Sequence, residues 1–222
     1  MAIIVVLTLA HFGWKYSGSN EWEKLGEKNG VTVYAMKVRG SSVKKFRAVW
    51  KINTTLSKFA TWVNDTKSTA MRRNTGLHDL RILERQGDKV IWSAYKQPIV
   101  EFLKPREFVI RTELSQNPKT KELLYTVKGF PNRIPEDDCC VRVPVMDNYW
   151  KLTPLKNGEV EVEWFCDMEL GGAVPYVLQN KVMPEGMFNF ARRVQKFVDQ
   201  DKYKNAKVAW VLEPQPAPAV AN

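Results

Sequence analysis

The stretch Gly171–Gln200, GGAVPYVLQNKVMPEGMFNFARRVQKFVDQ, decides the fold. It opens with a double glycine and Pro175, residues that punctuate structure. From Met187 the apolar positions fall at Met187, Phe190/Ala191, Val194 and Phe197/Val198, the three-four spacing of one helical face. Arg192, Arg193, Gln195, Lys196 and Asp199 occupy the other face. Pro184 and Gly186 interrupt the pattern and offer a hinge. The reading preferred on geometry is that Pro184 starts a second helix at its first turn, with Glu185 favourable there. Just before this stretch, Val160–Phe165 reads as a strand. A long helix closing a β-rich chain needs a surface to cover.

Working outward, strand patterns recur at Val31–Met36, Lys45–Ile52, Leu77–Arg85, Lys89–Tyr95, Arg106–Leu114, Leu123–Lys128, Tyr149–Leu155 and Val160–Met168, with a further start at Val141. Turn signals separate them: Asn29-Gly30, Gln86-Gly87-Asp88, Asn117-Pro118 and Asn157-Gly158. Glu21–Leu25 is expected to be a short helix. Thr54 or Thr55 caps a second helix running through Asn64, and Asp65–Asn74 a third, short one. Phe130–Asp138 reads as a proline-rich loop, and the chain beyond Tyr203 as a loose tail. The fold class expected is α+β, a curved antiparallel sheet with one long helix packed across it. The chain divides into an apolar leader or anchor (1–18), one domain (19–203) and a tail (204–222).

With 44% hydrophobic residues and eight tryptophans in 222, the chain can build a sizeable core. A net charge of +10 favours anionic partners, a membrane surface or nucleic acid. The basic pairs Arg72-Arg73 and Arg192-Arg193 are too dispersed for a nucleic-acid stripe, and no nucleic-acid motif is present, so no nucleic-acid partner is expected. Residues 2–12 are apolar apart from Thr8 and His11. That is too short for a bilayer span of about 20 residues, but it has the length of a signal-peptide core. Export to the periplasm or medium, or tethering to a membrane, is the expectation; the alternative is a buried first helix or strand of a cytoplasmic domain. Three cysteines make no disulfide framework. The adjacent Cys139 and Cys140 are not expected to bond to each other.

Catalytic chemistry is hard to assemble from these residues. His78 is the only histidine of the expected domain, so neither a hydrolase triad nor a histidine metal site has support. No phosphate-binding glycine loop occurs, because Gly171-Gly172 runs into Ala-Val-Pro. No nucleophile–base pair can be proposed. The expectation is a protein that is not an enzyme and needs no cofactor or metal.

Five pieces in order resemble the START domain, the steroidogenic acute regulatory protein-related lipid-transfer family, in a bacterial-type single-domain form. They are Trp22-Glu-Lys-Leu with Asn29-Gly-Val-Thr-Val-Tyr34; Phe46-Arg47-Ala48; Lys104-Pro-Arg-Glu-Phe-Val-Ile-Arg111; Val141-Arg142 leading to Asn148-Tyr-Trp-Lys-Leu152; and Asp167 through Gly171-Gly172-Ala-Val-Pro175 into the last helix. Glu107 stands where the family usually has Asp. Arg111 comes one residue before the family's usual Arg position, which Thr112 fills here. The resemblance implies a helix-grip fold, in which the sheet curls around the terminal helix and leaves an elongated apolar cavity for one lipid or sterol-like molecule. It further implies a gate in the Phe130–Asp138 loop and the terminal helix.

On that basis the ligand-contacting residues expected are Trp92 and Ala94 on one strand, Phe108, Ile110 and Thr112 on another, and Met183, Met187, Phe190, Ala191 and Val194 on the helix. Arg133 and Lys181 are candidates for an anionic head group. The expected function is lipid binding with transfer, by a monomer that touches membranes transiently. A helix-grip enzyme of the cyclase or hydrolase kind, or a ligand-sensing interaction module, are the alternatives.

Overall fold

The computed structural model describes residues 1–69, 72, 73, 76–99 and 102–214. After helix α1 (Ala2–Tyr16) come strands β1 (Trp22–Lys28), β2 (Val31–Met36) and β3 (Lys45–Ile52), then α2 (Leu56–Asn64). Strands β4 (His78–Gln86), β5 (Lys89–Gln97), β6 (Arg106–Gln116), β7 (Leu123–Gly129), β8 (Val141–Arg142), β9 (Val145–Pro154) and β10 (Val160–Glu169) follow. Helix α3 (Tyr176–Val198) and a 3-10 turn (Asp201–Tyr203) close the chain's ordered elements. The ten strands form one curved sheet in the order β1-β2-β3-β10-β9-β7-β6-β5-β4. All neighbours on this path are antiparallel, and β8 adds to β6 in parallel. With α3 across the concave face, this is the helix-grip arrangement.

Alternation explains the sheet's two faces. Val31, Val33 and Ala35 on β2, Phe46, Ala48, Trp50 and Ile52 on β3, and Trp150 and Leu152 on β9 are buried, each two residues from the next, as a pleat requires. Trp150 sits at the centre of an aromatic cluster. Its ring lies 5.8 Å from Trp50, 5.7 Å from Phe59, 6.0 Å from Trp62, 5.1 Å from Trp164 and 5.8 Å from Phe190. Phe197 of α3 stacks on Trp62 of α2 at 5.8 Å. The C-terminal half of α3 therefore rests on a solid core.

The double glycine turns the chain from β10 into α3. Gly171 and Gly172 have φ of +65° and +61°, a region open mainly to glycine. A side chain on Gly172 would also meet Val141 at 3.2 Å and Arg106 at 3.4 Å. Arg106 holds this turn. Its Nε and Nη2 donate to the carbonyls of Leu170 and Gly171 at 3.2 and 2.9 Å, and Nη1 to that of Lys104 at 2.6 Å. The next residue, Glu107, is buried and works on the other face. It pairs with Arg142 at 2.8 Å and Arg81 at 2.7 Å. Arg142 also donates to the carbonyls of Pro131, Ile134 and Pro135.

Several expectations change. Glu21–Leu25 is not a helix: β1 runs through it, because Asn29 and Gly30 both adopt positive φ and join β1 to β2 as a tight hairpin. Pro184 does not begin a second helix; α3 is continuous through it. Cys139 and Cys140 form a disulfide with each other. The tight turn that permits it is closed by the Cys140 amide donating to the Asp137 carbonyl at 3.1 Å. The short helix expected within 65–74 falls partly on positions 70, 71 and 74, outside the described residues, as do 215–222 of the expected tail. Residues 204–214 pack on the domain. Val211 is buried, and the Glu213 carboxylate accepts from the amides of Leu56 and Ser57 at the start of α2, an acid at a helix N-terminus.

Removing one partner from a buried ion pair leaves a stranded charge and costs about 3–5 kcal/mol. Glu107→Ala is therefore expected to lower unfolding free energy by about that much in urea titrations. A loss under about 1 kcal/mol would show that the cluster contributes nothing net.

Candidate ligand cavity

Under the N-terminal half of α3 the packing opens. A cavity of about 610 Å³ lies between the helix and the inner faces of β5, β6, β7, β9 and β10. That is room for on the order of 20 groups of water or methylene size, at roughly 30 Å³ each. Phe108, Ile110, Val127, Met146 and Met168 give the sheet side its apolar character, with Trp150 and Trp164 at the boundary with the aromatic core. Met183, Met187 and Phe190 project from α3, and methionine adapts to irregular apolar shapes. A second helical row, Val182, Gly186, Asn189 and Arg193, forms the rim with Leu77, Gln97 and Ile99.

The first turns of α3 are pinned on both sides. Gln179 donates to the Met168 carbonyl and accepts from the Leu170 amide at 3.4 Å. Asn180 accepts from the Lys44 amide at 2.8 Å and donates to the Ser42 carbonyl at 3.0 Å. The helix is thus tied at its start to the ends of two adjacent strands, β10 and β3, while its middle spans the gap.

The polar groups of the wall are neutral. Burial pushes the Tyr125 phenol up to about 12, against a lowering hydrogen bond from Thr112. Burial likewise pushes the Cys166 thiol up to about 12 and raises the Tyr95 phenol well above its ordinary value. No carboxylate is present among the described lining residues, and the charged residue there, Arg193, is exposed at the rim. No three His, Cys, Asp or Glu side chains among the described residues are grouped to hold a metal ion.

The structure divides the ten residues expected from sequence. Phe108, Ile110, Met183, Met187 and Phe190 line the cavity. Trp92, Ala94, Thr112, Ala191 and Val194 do not. The reason on β5 is register. Tyr95 pairs with Phe108 and Ser93 with Ile110, so odd positions of β5 share a face with even positions of β6. Trp92 lies on the opposite face, 4.8 Å from Phe130 and beneath Arg133. Thr112 does share the inner face, but lies beyond the cavity, donating to the Val90 carbonyl. Arg111 points away from the cavity, over Trp92. Ala191 and Val194 are buried in the aromatic core. Of the head-group candidates, Arg133 is on the outer face with Trp92 and Lys181 is exposed away from the lining. No residue of the Phe130–Asp138 loop lines the cavity, because Arg142 fastens that loop behind β6. Sequence reasoning missed Tyr95, Tyr125, Val127, Met146, Asn148 and Met168. Strand alternation carries the signal for them once the pairing register is fixed.

This arrangement, a single helix gripped by a curved sheet over an apolar hollow, defines a class of ligand-enclosing domain. The START domain family profile matches residues 14–204, and the chain belongs to that family. The chain is 26% identical over 187 residues to an uncharacterized protein of Pseudomonas aeruginosa, PA1579, covering 84% of this chain and 91% of that one. A STAR-related lipid transfer protein from Xanthomonas axonopodis superposes with a TM-score of 0.69 at 19% identity, over 81% of this chain and 99% of its own. Human StAR-related lipid transfer protein 5 does so with a TM-score of 0.65 at 16% identity, over 90% and 95%.

A Cβ on Gly186 would meet nothing within 4 Å. Gly186→Phe is expected to narrow the rim without disturbing the fold, adding about 0.5 kcal/mol of helix propensity. Slower uptake of an apolar fluorophore at unchanged or higher Tm would follow. Unchanged uptake kinetics would place the opening elsewhere.

Proposed function

We propose that the protein binds one lipid or other hydrophobic small molecule in this cavity and carries it between membranes. The observation that carries the reading is the largely apolar volume beneath α3, with its one charged lining residue, Arg193, at the rim. Family membership supports lipid binding in general, and the names of the structural neighbours support transfer. A chain of about 16 methylenes gains on the order of 13 kcal/mol by leaving water. It gains almost nothing by leaving a bilayer. Such a cavity therefore lowers the barrier to crossing water without trapping the lipid.

We read the cavity as a binding site and the protein as a monomer without catalytic activity. Among the described lining residues no nucleophile stands beside a base, and the Cys166 thiol stays protonated. Opening is assigned to the rim between α3 and residues 77, 97 and 99, since both the loop behind β6 and the first turns of α3 are fastened down.

Membrane contact is assigned to α1. Ile3, Ile4, Val5, Val6, Leu7, Leu9 and Phe12 are each at least half exposed, more apolar surface than a free helix keeps in water. Its far end is docked: the Trp14 indole donates to the Ser42 carbonyl at 2.8 Å and stacks on Tyr176, the first residue of α3, at 6.3 Å. Val177 and Val182 of α3 are also exposed. At 15 residues α1 is about 22 Å long, short of the ~30 Å hydrocarbon core, and no helix among the described residues is long and apolar enough to cross a membrane. α1 is apolar nearly all round and offers that surface to lipid, and the net charge of +10 favours anionic lipid. The expected export or tethering is kept as a proposal, supported by the Cys139–Cys140 disulfide, a bond that persists in oxidising compartments.

Native mass spectrometry of protein purified from a lipid-containing host is expected to show one bound apolar ligand, and donor vesicles to lose labelled lipid to acceptors. Protein that is always empty and extracts nothing from mixed vesicles would refute the reading. The double variant Ile4→Glu/Leu7→Glu is expected to lose co-sedimentation with phosphatidylglycerol vesicles while remaining folded. Undiminished co-sedimentation would move the membrane contact off α1.

A further inference from the structure

Tyr95 is a polar wall residue whose hydroxyl the fold leaves over. Its ring is fixed by stacking on Phe108, with centroids 4.8 Å apart and planes 12° from parallel. Its electrostatic neighbours are Tyr125 and Cys166, both also in the wall. The Tyr125 hydroxyl lies near Thr112, whose own hydroxyl donates to the Val90 carbonyl. Two other polar groups of the wall are engaged with backbone. Asn148 accepts from the Asp167 amide at 3.1 Å and interacts with the Cys166 thiol. Gln179 uses both ends of its amide on β10. The Tyr95 hydroxyl makes no hydrogen bond to any described residue. Gln97, the next inward position on β5, belongs to the rim, where water reaches it.

We infer that Tyr95 is the polar anchor of the cavity, its hydroxyl meeting the oxygen of an apolar ligand that carries a hydroxyl or carbonyl group at its buried end. The inference rests on the proposed function and names the ligand class for that site. A phenol both donates and accepts, so it suits either oxygen function. An unpaired polar group in a water-poor cavity is costly, and a ligand oxygen removes the cost. A buried carboxylate, phosphate or ammonium is disfavoured, because the deep wall offers no counter-charge. A charged head group would have to remain at the rim near Arg193.

The test displaces N-phenyl-1-naphthylamine, a neutral fluorophore, from full-length protein with 1-decanol and with undecane, molecules of matched length. Tyr95→Phe keeps the stacked ring and removes one oxygen. It is expected to weaken decanol binding roughly five- to tenfold, the worth of one neutral hydrogen bond, and to leave undecane unchanged. Its Tm is expected to stay level or rise, since the lost hydroxyl had no partner. Equal changes for decanol and undecane, or none, would overturn the anchor while leaving the cavity reading intact. A marked loss of stability would reveal an internal partner for the hydroxyl and overturn it too. Failure of wild-type protein to take up the fluorophore at all would refute the proposed function, and this inference with it.

Discussion

The buried guanidinium of Arg106 is the constraint on which the helix and its cavity depend. Three backbone carbonyls converge on it, two of them from the turn that ends β10. Charge-assisted hydrogen bonds are about twice as strong as neutral ones, and here they fix a turn that two left-handed glycines make possible. The direction in which the chain leaves that turn is the direction of α3. Glu107, one residue on, points through the sheet and gathers Arg142 and Arg81. Two consecutive residues of β6 thus tie the start of α3 on one face and the proline-rich loop on the other. Three residues of the Pro-Arg-Glu-Phe-Val run thus have distinct roles: Arg106 clamps the turn, Glu107 clamps the loop, and Phe108 lines the cavity.

Once α3 is aimed, side-chain volume decides where it packs and where it spans. Its C-terminal half meets Trp50, Trp62 and Trp150, whose rings fill the space to the sheet. Its N-terminal half presents Met183 and Met187, with Gly186 on the flank, opposite single-ring and aliphatic residues. Collapse would close the gap if the helix could descend. Gln179 and Asn180 prevent this by tying the start of the helix to the end of β10 and to the Ser42–Lys44 segment that leads into the adjacent β3. The hollow is therefore a consequence of a helix pinned at one end by hydrogen bonds and at the other by aromatic bulk.

Most of this fold is legible in the sequence, because alternation and turn chemistry are local. Val31–Ala35, Phe46–Ile52 and the Asn157-Gly158 turn specify strands without help from the rest of the chain. The site is less legible, because it depends on pairing. Ala94 is as apolar as a cavity residue should be, but β5 meets β6 with opposite parity, and only the register shows that Tyr95 faces inward. On α3 the apolar stripe is broader than the cavity. Periodicity alone cannot separate Met187 and Phe190, which line the hollow, from Ala191 and Val194, which pack in the core. Glu21–Leu25 misled for a different reason: its residues suit a helix, and the Asn29-Gly30 hairpin overrode that preference.

On the proposed function, the same geometry sets the terms of exchange. A ligand moving from a bilayer gains nothing from the cavity's apolar wall, which only matches what it leaves. What differs between bilayer interior and cavity is the fixed polar chemistry: the hydroxyl, amide and indole groups of the wall and a guanidinium at the rim. Selectivity must come from those two places and from shape, while capacity comes from the apolar wall. In this reading α1 shortens the path. It docks through Trp14 on Tyr176, where α3 begins, so a surface held by α1 lies beside the helix that covers the cavity. The tryptophan that joins them also receives Lys37 and Lys44 over its ring, at 5.1 and 5.8 Å. Positive charge is thereby gathered at the docked end of an apolar helix, the arrangement that an anionic interface attracts.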